Sequence, residues 1–216
     1  MNPFTKSSSL MKILLLTSCA LLASCATDRG ITTEESTATI KASFAERGIA
    51  KLDRLNQSDL QKTCSEYADR ELPKTVAARL EKEALETVKY PANDQYLGDW
   101  KEGEKIAQNG RGLQFSDSAT GPNGGNCYAC HQIQKAEISY GTIGPSLYQY
   151  GKLRSGGAQQ APEAIVKYTW AKLWNSHAFA ACTQMPRYGA AAILTEQQLK
   201  HVMALLLDPK SPVNTQ

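Results

Sequence analysis

Five residues, Cys127-Tyr128-Ala129-Cys130-His131, constrain this chain more than any other stretch. They place two thiols two residues apart, put an imidazole directly behind the second, and follow the glycine-rich run from Thr120 to Gly125. What such a cluster does depends on where the chain resides. Lys6 and Lys12 precede an apolar run from Ile13 to Leu22 that ends in the small residues Ala23 and Ser24. This is the pattern of a secretory signal peptide. The run is too short to cross a hydrocarbon core of roughly 30 Å, and no later stretch is both longer and uncharged. Leu22-Ala23-Ser24-Cys25 also matches a bacterial lipobox, in which Cys25 becomes the lipidated first residue; the alternative is ordinary cleavage after Ala26. Leu16-Thr17-Ser18-Cys19 is a weaker match, because cleavage there would cut through the apolar run. The reading is a periplasmic protein, lipid-anchored to a membrane through Cys25.

Export places the other cysteines in an oxidising compartment. Cys64 and Cys182 have no nearby partner in sequence, so a bridge between them is expected, with two buried free thiols as the alternative. The formal charge of +3 is small and scattered, which gives no reason to propose a nucleic-acid partner. With 42% apolar residues the chain can build a core. Residues 1–24 read as signal peptide, 25–57 as a tether with a loose helix, and 58–95 as a helical block carrying Leu60, Cys64 and Tyr67 on one face. In that block Pro73 opens a second helix. Residues 96–216 form the motif-bearing domain. Within it, Gly103, Ile106 and Ala107 mark a short helix with a small residue suited to close packing. Residues 131 to 161 read as turns. Pro162 opens a helix to Trp174, along which Ile165, Tyr168 and Lys172 share one side. Thr195-Glu196-Gln197-Gln198 is a capping box opening a last helix, with Leu199, Val202, Met203 and Leu206 as its apolar stripe and Asp208-Pro209 as its stop. No alternating strand pattern or repeat intervenes, so the fold class is all-α with long loops.

Three chemistries use a Cys-x-x-Cys spacing. A structural zinc needs four ligands, usually two such pairs, and this chain offers one. A disulfide-exchange pair should follow a strand and open a helix, whereas a glycine-rich turn precedes this one. Covalent haem fits: two intervening residues let one turn present Cys127 and Cys130 to the two vinyl groups of one haem c, with His131 beneath the iron. Candidates opposite His131 are Met185, His177, Met203 and His201. Met203 lies on the core stripe, and His201, off that stripe, is expected to face solvent. Met185 is favoured over His177, because Pro186 stops helix formation and holds the loop extended. A thioether ligand raises the potential and a six-coordinate iron leaves no substrate position, so the site transfers electrons. No paired carboxylates or nucleophile–base pair suggest catalysis by this chain itself. Arg187, Arg154, Tyr148 and Tyr150 are candidates to meet the haem carboxylates, equally readable as a solvated rim.

The segments YLGDWKEGEKIAQNGRG, GNCYACH, IGPSLYQYGK, MPRYG and ILTEQQLKHVMALLLDPKSPVN together resemble the SoxX family, the monohaem subunits of SoxAX cytochromes in bacterial sulfur oxidation. The resemblance spans about Cys64 to Asn214. It implies a class I cytochrome c fold with a helical N-terminal extension, and a helix at Trp100 to Gln108 crossing the last helix. It also implies His131 and Met185 as axial ligands, and a Pro145 carbonyl orienting His131. Cys182 resembles the cysteine found just before the methionine loop in many relatives, which favours the disulfide. The partners implied are a SoxA-type cytochrome in a heterodimer, the SoxYZ carrier, and a soluble cytochrome c as acceptor. The activity implied is that of an L-cysteine S-thiosulfotransferase, which joins thiosulfate to a carrier cysteine and releases two electrons. The bond-forming site is expected in the partner, and this chain relays electrons. A free-standing periplasmic shuttle is the alternative. A third reading lets His177 or Met185 leave the iron so that it binds a sulfur compound.

Overall fold

A computed structural model describes residues 30–156, 158 and 160–215 of the 216-residue chain. The expected signal peptide and Cys25 lie outside the described residues. The chain divides into two units, Met1–Phe44 and Ala45–Gln216. In the first, helix α1 (Thr33–Ser43) is opened by a capping box in which Thr32 and Glu35 exchange side-chain and backbone bonds, and no residue along it is buried. Charged and threonine-rich composition explains this, since α1 has no apolar stripe to bury.

The second unit holds helices α2 (Asp59–Glu66), α3 (Lys74–Glu86), α4 (Trp100–Gln108), α5 (Tyr150–Arg154), α6 (Glu163–Trp174), α7 (Glu196–Leu207) and α8 (Pro212–Thr215). No strand occurs among the described residues, so the fold is all-α. Helix α5 corrects the expectation of turns throughout 131–161. It is too short to leave a periodic signal, and it is entered through Gln149 in a left-handed conformation. Pro73 stands at the N-cap of α3, one residue before the first turn.

Helices α4 and α7 cross at a point set by Gly103. A Cβ at this position would overlap the carbonyl oxygen of His201, with the carbonyl carbon 2.7 Å and Leu205 Cβ 3.0 Å away, so only glycine permits the approach. The same crossing corrects the expectation that His201 faces solvent. The ring is partly buried, and its Nδ1 accepts the Asp99 N–H at 2.8 Å, satisfying a donor at the start of α4 that has no intrahelical partner. Helix α7 begins at the expected capping box of Thr195 and Gln198 and ends at Asp208. Its buried side chains, including Leu199, Met203 and Leu205, join Ile133, Trp170 and Val213 in the core. Each such side chain stabilises the fold by about 1.5–3 kcal/mol relative to exposure.

The α2–α3 block docks on the end of α6. Carbonyls at the C-terminus of a helix lack intrahelical partners, and here side chains from α6 supply them. Asn175 Nδ2 donates to Ala84 O at 3.3 Å, Trp174 Nε1 to Thr87 O at 2.9 Å, and Trp170 Nε1 to Lys89 O at 2.8 Å. The expected bridge is present: Cys64 of α2 is joined to Cys182, 118 residues later.

Candidate functional site

Cys127–Ala129 form one 3-10 turn entered through Asn126 in a left-handed conformation. Cys130 N–H and His131 N–H both donate to Cys127 O, at 3.1 and 2.9 Å. This winding brings both sulfurs and the imidazole to the wall of one cavity. The turn is fastened to the end of α4, whose last carbonyls accept Gly125 N–H (Ile106 O, 2.8 Å) and Asn126 N–H (Asn109 O, 3.0 Å). Tyr188 Oη donates to Gly125 O at 2.5 Å and braces the turn from the opposite side. Downstream, the loop from Gly141 to Leu147 runs back along the motif, with Gly144 N–H donating to Cys130 O at 2.8 Å.

The cavity encloses about 690 Å³, and Cys127, Cys130, His131 and Met185 all line it. Ile133, Leu147, Leu173, Val202 and Leu206 supply apolar wall from four separate segments. Such a volume with so apolar a lining suits a flat, largely hydrophobic ligand. His131 Nδ1 lies 2.7 Å from Pro145 O. A carbonyl can only accept, so Nδ1 carries the proton and Nε2 keeps its lone pair free for a metal. Gly144 completes the cradle: a Cβ there would overlap the ring, with Nδ1 only 2.5 Å and Nε2 2.7 Å away.

The thiols also bear on the choice among chemistries. Cys127 and Cys130 are not bonded to each other, and burial pushes the Cys127 thiol up to about 12. An exchange-active cysteine needs the opposite shift. Burial likewise raises Tyr188 above the ordinary phenol range, so its hydroxyl stays protonated as a donor. Among the described residues no group of three or more His, Cys, Asp or Glu side chains is placed to hold a metal ion.

Met185 lies in a loop held by short-range bonds: Ser176 Oγ donates to Met185 O at 2.5 Å, and Met185 N–H to Thr183 Oγ1 at 3.3 Å. The other candidate ligands lie elsewhere. Met203 is fully buried in the core, and His201 serves the α4–α7 crossing. His177 is buried on a short turn, Ser176–Ala178, does not line the cavity, and leaves Nδ1 without a hydrogen-bond partner. Burial, then the charges of Arg187 and Lys172, lowers its pKa, which keeps the ring neutral. Of the rim candidates, Tyr150 and Arg154 line the cavity while Tyr148 and Arg187 do not. The Arg154 guanidinium stacks 4.6 Å from the Tyr150 ring centroid, and Tyr150 Oη lies 2.8 Å from Thr169 Oγ1. Gly144 and Tyr188 are site residues that sequence reading passed over. The adjacency of Gly144 to Pro145, and of Tyr188 to the Met185 loop, was the available signal.

The residues fit a haem. Cys127 and Cys130 would hold it by thioethers and His131 would ligate its iron, with Met185, which lines the same cavity, as the candidate sixth ligand. Bound there, the haem would exchange single electrons between ferric and ferrous iron. The chain's own part is to orient His131, enclose the macrocycle in apolar side chains and limit access of water.

An all-α fold wrapped around a Cys-x-x-Cys-His cavity defines the class of c-type haem electron-transfer proteins. Residues 100–209 match the Cytochrome c family, and the chain belongs to it. The chain is also 33% identical over 159 residues to a protein of Aquifex aeolicus (strain VF5) described as an uncharacterized lipoprotein, covering 73% of each chain. The protein carries haem c and has a haem electron-transfer role. Among the described residues no helix is long and apolar enough to cross a membrane.

Proposed function

We propose that this cytochrome is the electron-relay subunit of a periplasmic, two-cytochrome complex of the SoxAX type, tethered to a membrane by lipid on Cys25. In this reading a partner cytochrome joins thiosulfate to a cysteine of a carrier protein. The two electrons released pass singly through the haem held by this chain to a soluble cytochrome c. One haem is bound per chain, with His131 and Met185 as its axial ligands.

The observation that carries the reading is an exposed apolar side chain at the cavity. Ile143 lines the cavity yet is 76% exposed, and Ile138, five residues earlier in the chain, is 95% exposed. An exposed apolar side chain at the mouth of the cavity favours a lasting protein partner there over a small polar docking patch. Three further points support it. The five segments resembling SoxX spread over most of the second unit. The α2–α3 block lies outside the matched family region, as extra material a small shuttle does not need. The relative from Aquifex is described as a lipoprotein, and this chain carries a lipobox-like Leu22–Cys25.

The test is native mass spectrometry on protein gently released from its own membrane or periplasm. A complex of this chain with a second cytochrome, reduced by thiosulfate only when the carrier is added, is the expected result. A lone one-haem species at every concentration would replace the relay subunit with a free shuttle.

A further inference from the structure

The α2–α3 block is more than a collar. We infer that it is a clamp on the Met185 loop, acting through Cys64 and Glu81 as positioning residues that keep the sixth-ligand segment closed over the iron site. The inference rests on Met185 being that ligand.

The segment from Asn175 to Met185 has little regular structure to hold it. It contains one three-residue turn, Ser176–Ala178, and Cys182 adopts a left-handed conformation with φ of 61°. A non-glycine residue in that region persists only where its surroundings hold it. Three ties come from the N-terminal block, spaced along the segment. At its start, Asn175 Nδ2 donates to Ala84 O and, at 2.9 Å, to Thr87 Oγ1. In its middle, Ala181 N–H donates to the Glu81 carboxylate at 3.1 Å. Next to it, Cys182 is bonded to Cys64, and Cys182 itself lines the cavity. Only Thr183 and Gln184 then separate the last tie from Met185.

Two of the three ties converge on consecutive residues, Ala181 and Cys182, from two different helices. Such an arrangement fixes both the position and the direction of the chain as it enters the ligand loop. Bonds within the segment, from Ser176 Oγ to Met185 O and from Met185 N–H to Thr183 Oγ1, transmit that constraint to the methionine backbone. Without the clamp the loop keeps its local bonds but loses its anchor, and Met185 spends more time away from the iron. Loop opening is a local equilibrium, so the ties govern how often the sixth position is free.

The experiment uses full-length, haem-loaded protein in its ferric form and reads two quantities. The weak sulfur-to-iron charge-transfer band reports methionine ligation, and the rate of cyanide binding reports how often the sixth position opens. Loss of the one charge-assisted bond in Glu81→Ala should speed cyanide binding about fivefold or more. Glu81→Gln, which keeps an acceptor oxygen, should recover most of the original rate. The double substitution Cys64→Ser/Cys182→Ser should give an increase of about tenfold or more with a weakened band. Arg79→Ala, on the exposed side of α3, should leave both readouts unchanged. If Glu81→Ala binds cyanide at the parental rate while retaining the band, the clamp is refuted even should the disulfide variant fail to fold. If the parent protein itself lacks the band, the Met185 assignment fails, and the clamp falls with it.

Discussion

Substituting Gly144 by alanine aims one methyl at the ring of His131, the residue assigned to ligate iron. The new Cβ would overlap His131 Cε1 and sit 2.5 Å from Nδ1, against 3.4 Å for an ordinary contact, so the ring must recede by at least about 0.9 Å or the loop must lift. The bond from Nδ1 to Pro145 O is 2.7 Å long, and hydrogen bonds of this kind weaken beyond about 3.2 Å. A displacement of that size therefore breaks it. Overpacking costs about 1–3 kcal/mol, and the lost bond about 1 more, so destabilisation of about 2–4 kcal/mol is expected. Loss of the partner that orients a metal-bound histidine additionally weakens ligation by about 10- to 100-fold. Chemical denaturation of the haem-loaded protein, followed through the haem absorption, measures the first. Appearance of a high-spin ferric spectrum measures the second. A Gly144→Ala protein with parental stability and an unchanged low-spin spectrum would refute the geometry of the His131 cradle.

Gly103→Ala should destabilise by about 1–3 kcal/mol despite alanine's better helix propensity, because the methyl meets the backbone of His201; equilibrium unfolding with an unchanged slope checks it. Burial lowers the pKa of His177, so the unfolded state takes up the proton first. Stability should be fully present above about pH 6.5 and decline as pH falls below it, and His177→Leu should flatten that dependence in denaturation curves taken across the range. A parental pH profile in that variant would remove His177 as the cause. Replacing Cys25 by Ser should move the protein from the membrane fraction to the soluble periplasmic fraction, and an unaltered distribution would end the lipid-anchor reading.

Apart from the Cys64–Cys182 bridge, expected from two thiols left over in an exported chain, what could be read from the chain was written locally. The five-residue motif, the capping box at Thr195 and Gln198, and the stop at Asp208-Pro209 each depend on neighbours within a few positions; the structure winds the first into one turn and shows the capping box and the C-cap at Asp208. Gly103 was legible as a small residue for close packing, though not what it meets. The contacts that were missed join residues far apart in sequence. His201 looked solvent-facing because it lies off the apolar stripe of α7, and nothing near it reveals that Asp99, 102 positions away, needs an acceptor. Asn175, Trp174 and Trp170 likewise look like ordinary polar and aromatic residues until α3 arrives with its unpaired carbonyls. Helix α5, five residues long, is shorter than the window of about 11 residues or more over which helical periodicity is recognised. For the site, the sequence named the two thiols, His131 and Met185, which line one cavity, but the glycine and tyrosine beside them act through shape and left no such signature.

The claim on which all else depends is one haem joined covalently through Cys127 and Cys130. Intact mass measured under acid, denaturing conditions on protein matured in a bacterial periplasm tests it directly. The account predicts a single species at the mass of the processed chain plus one haem, reduced to the bare chain in Cys127→Ser/Cys130→Ser. A bare chain from the unaltered protein, or haem that acid extracts, would contradict it.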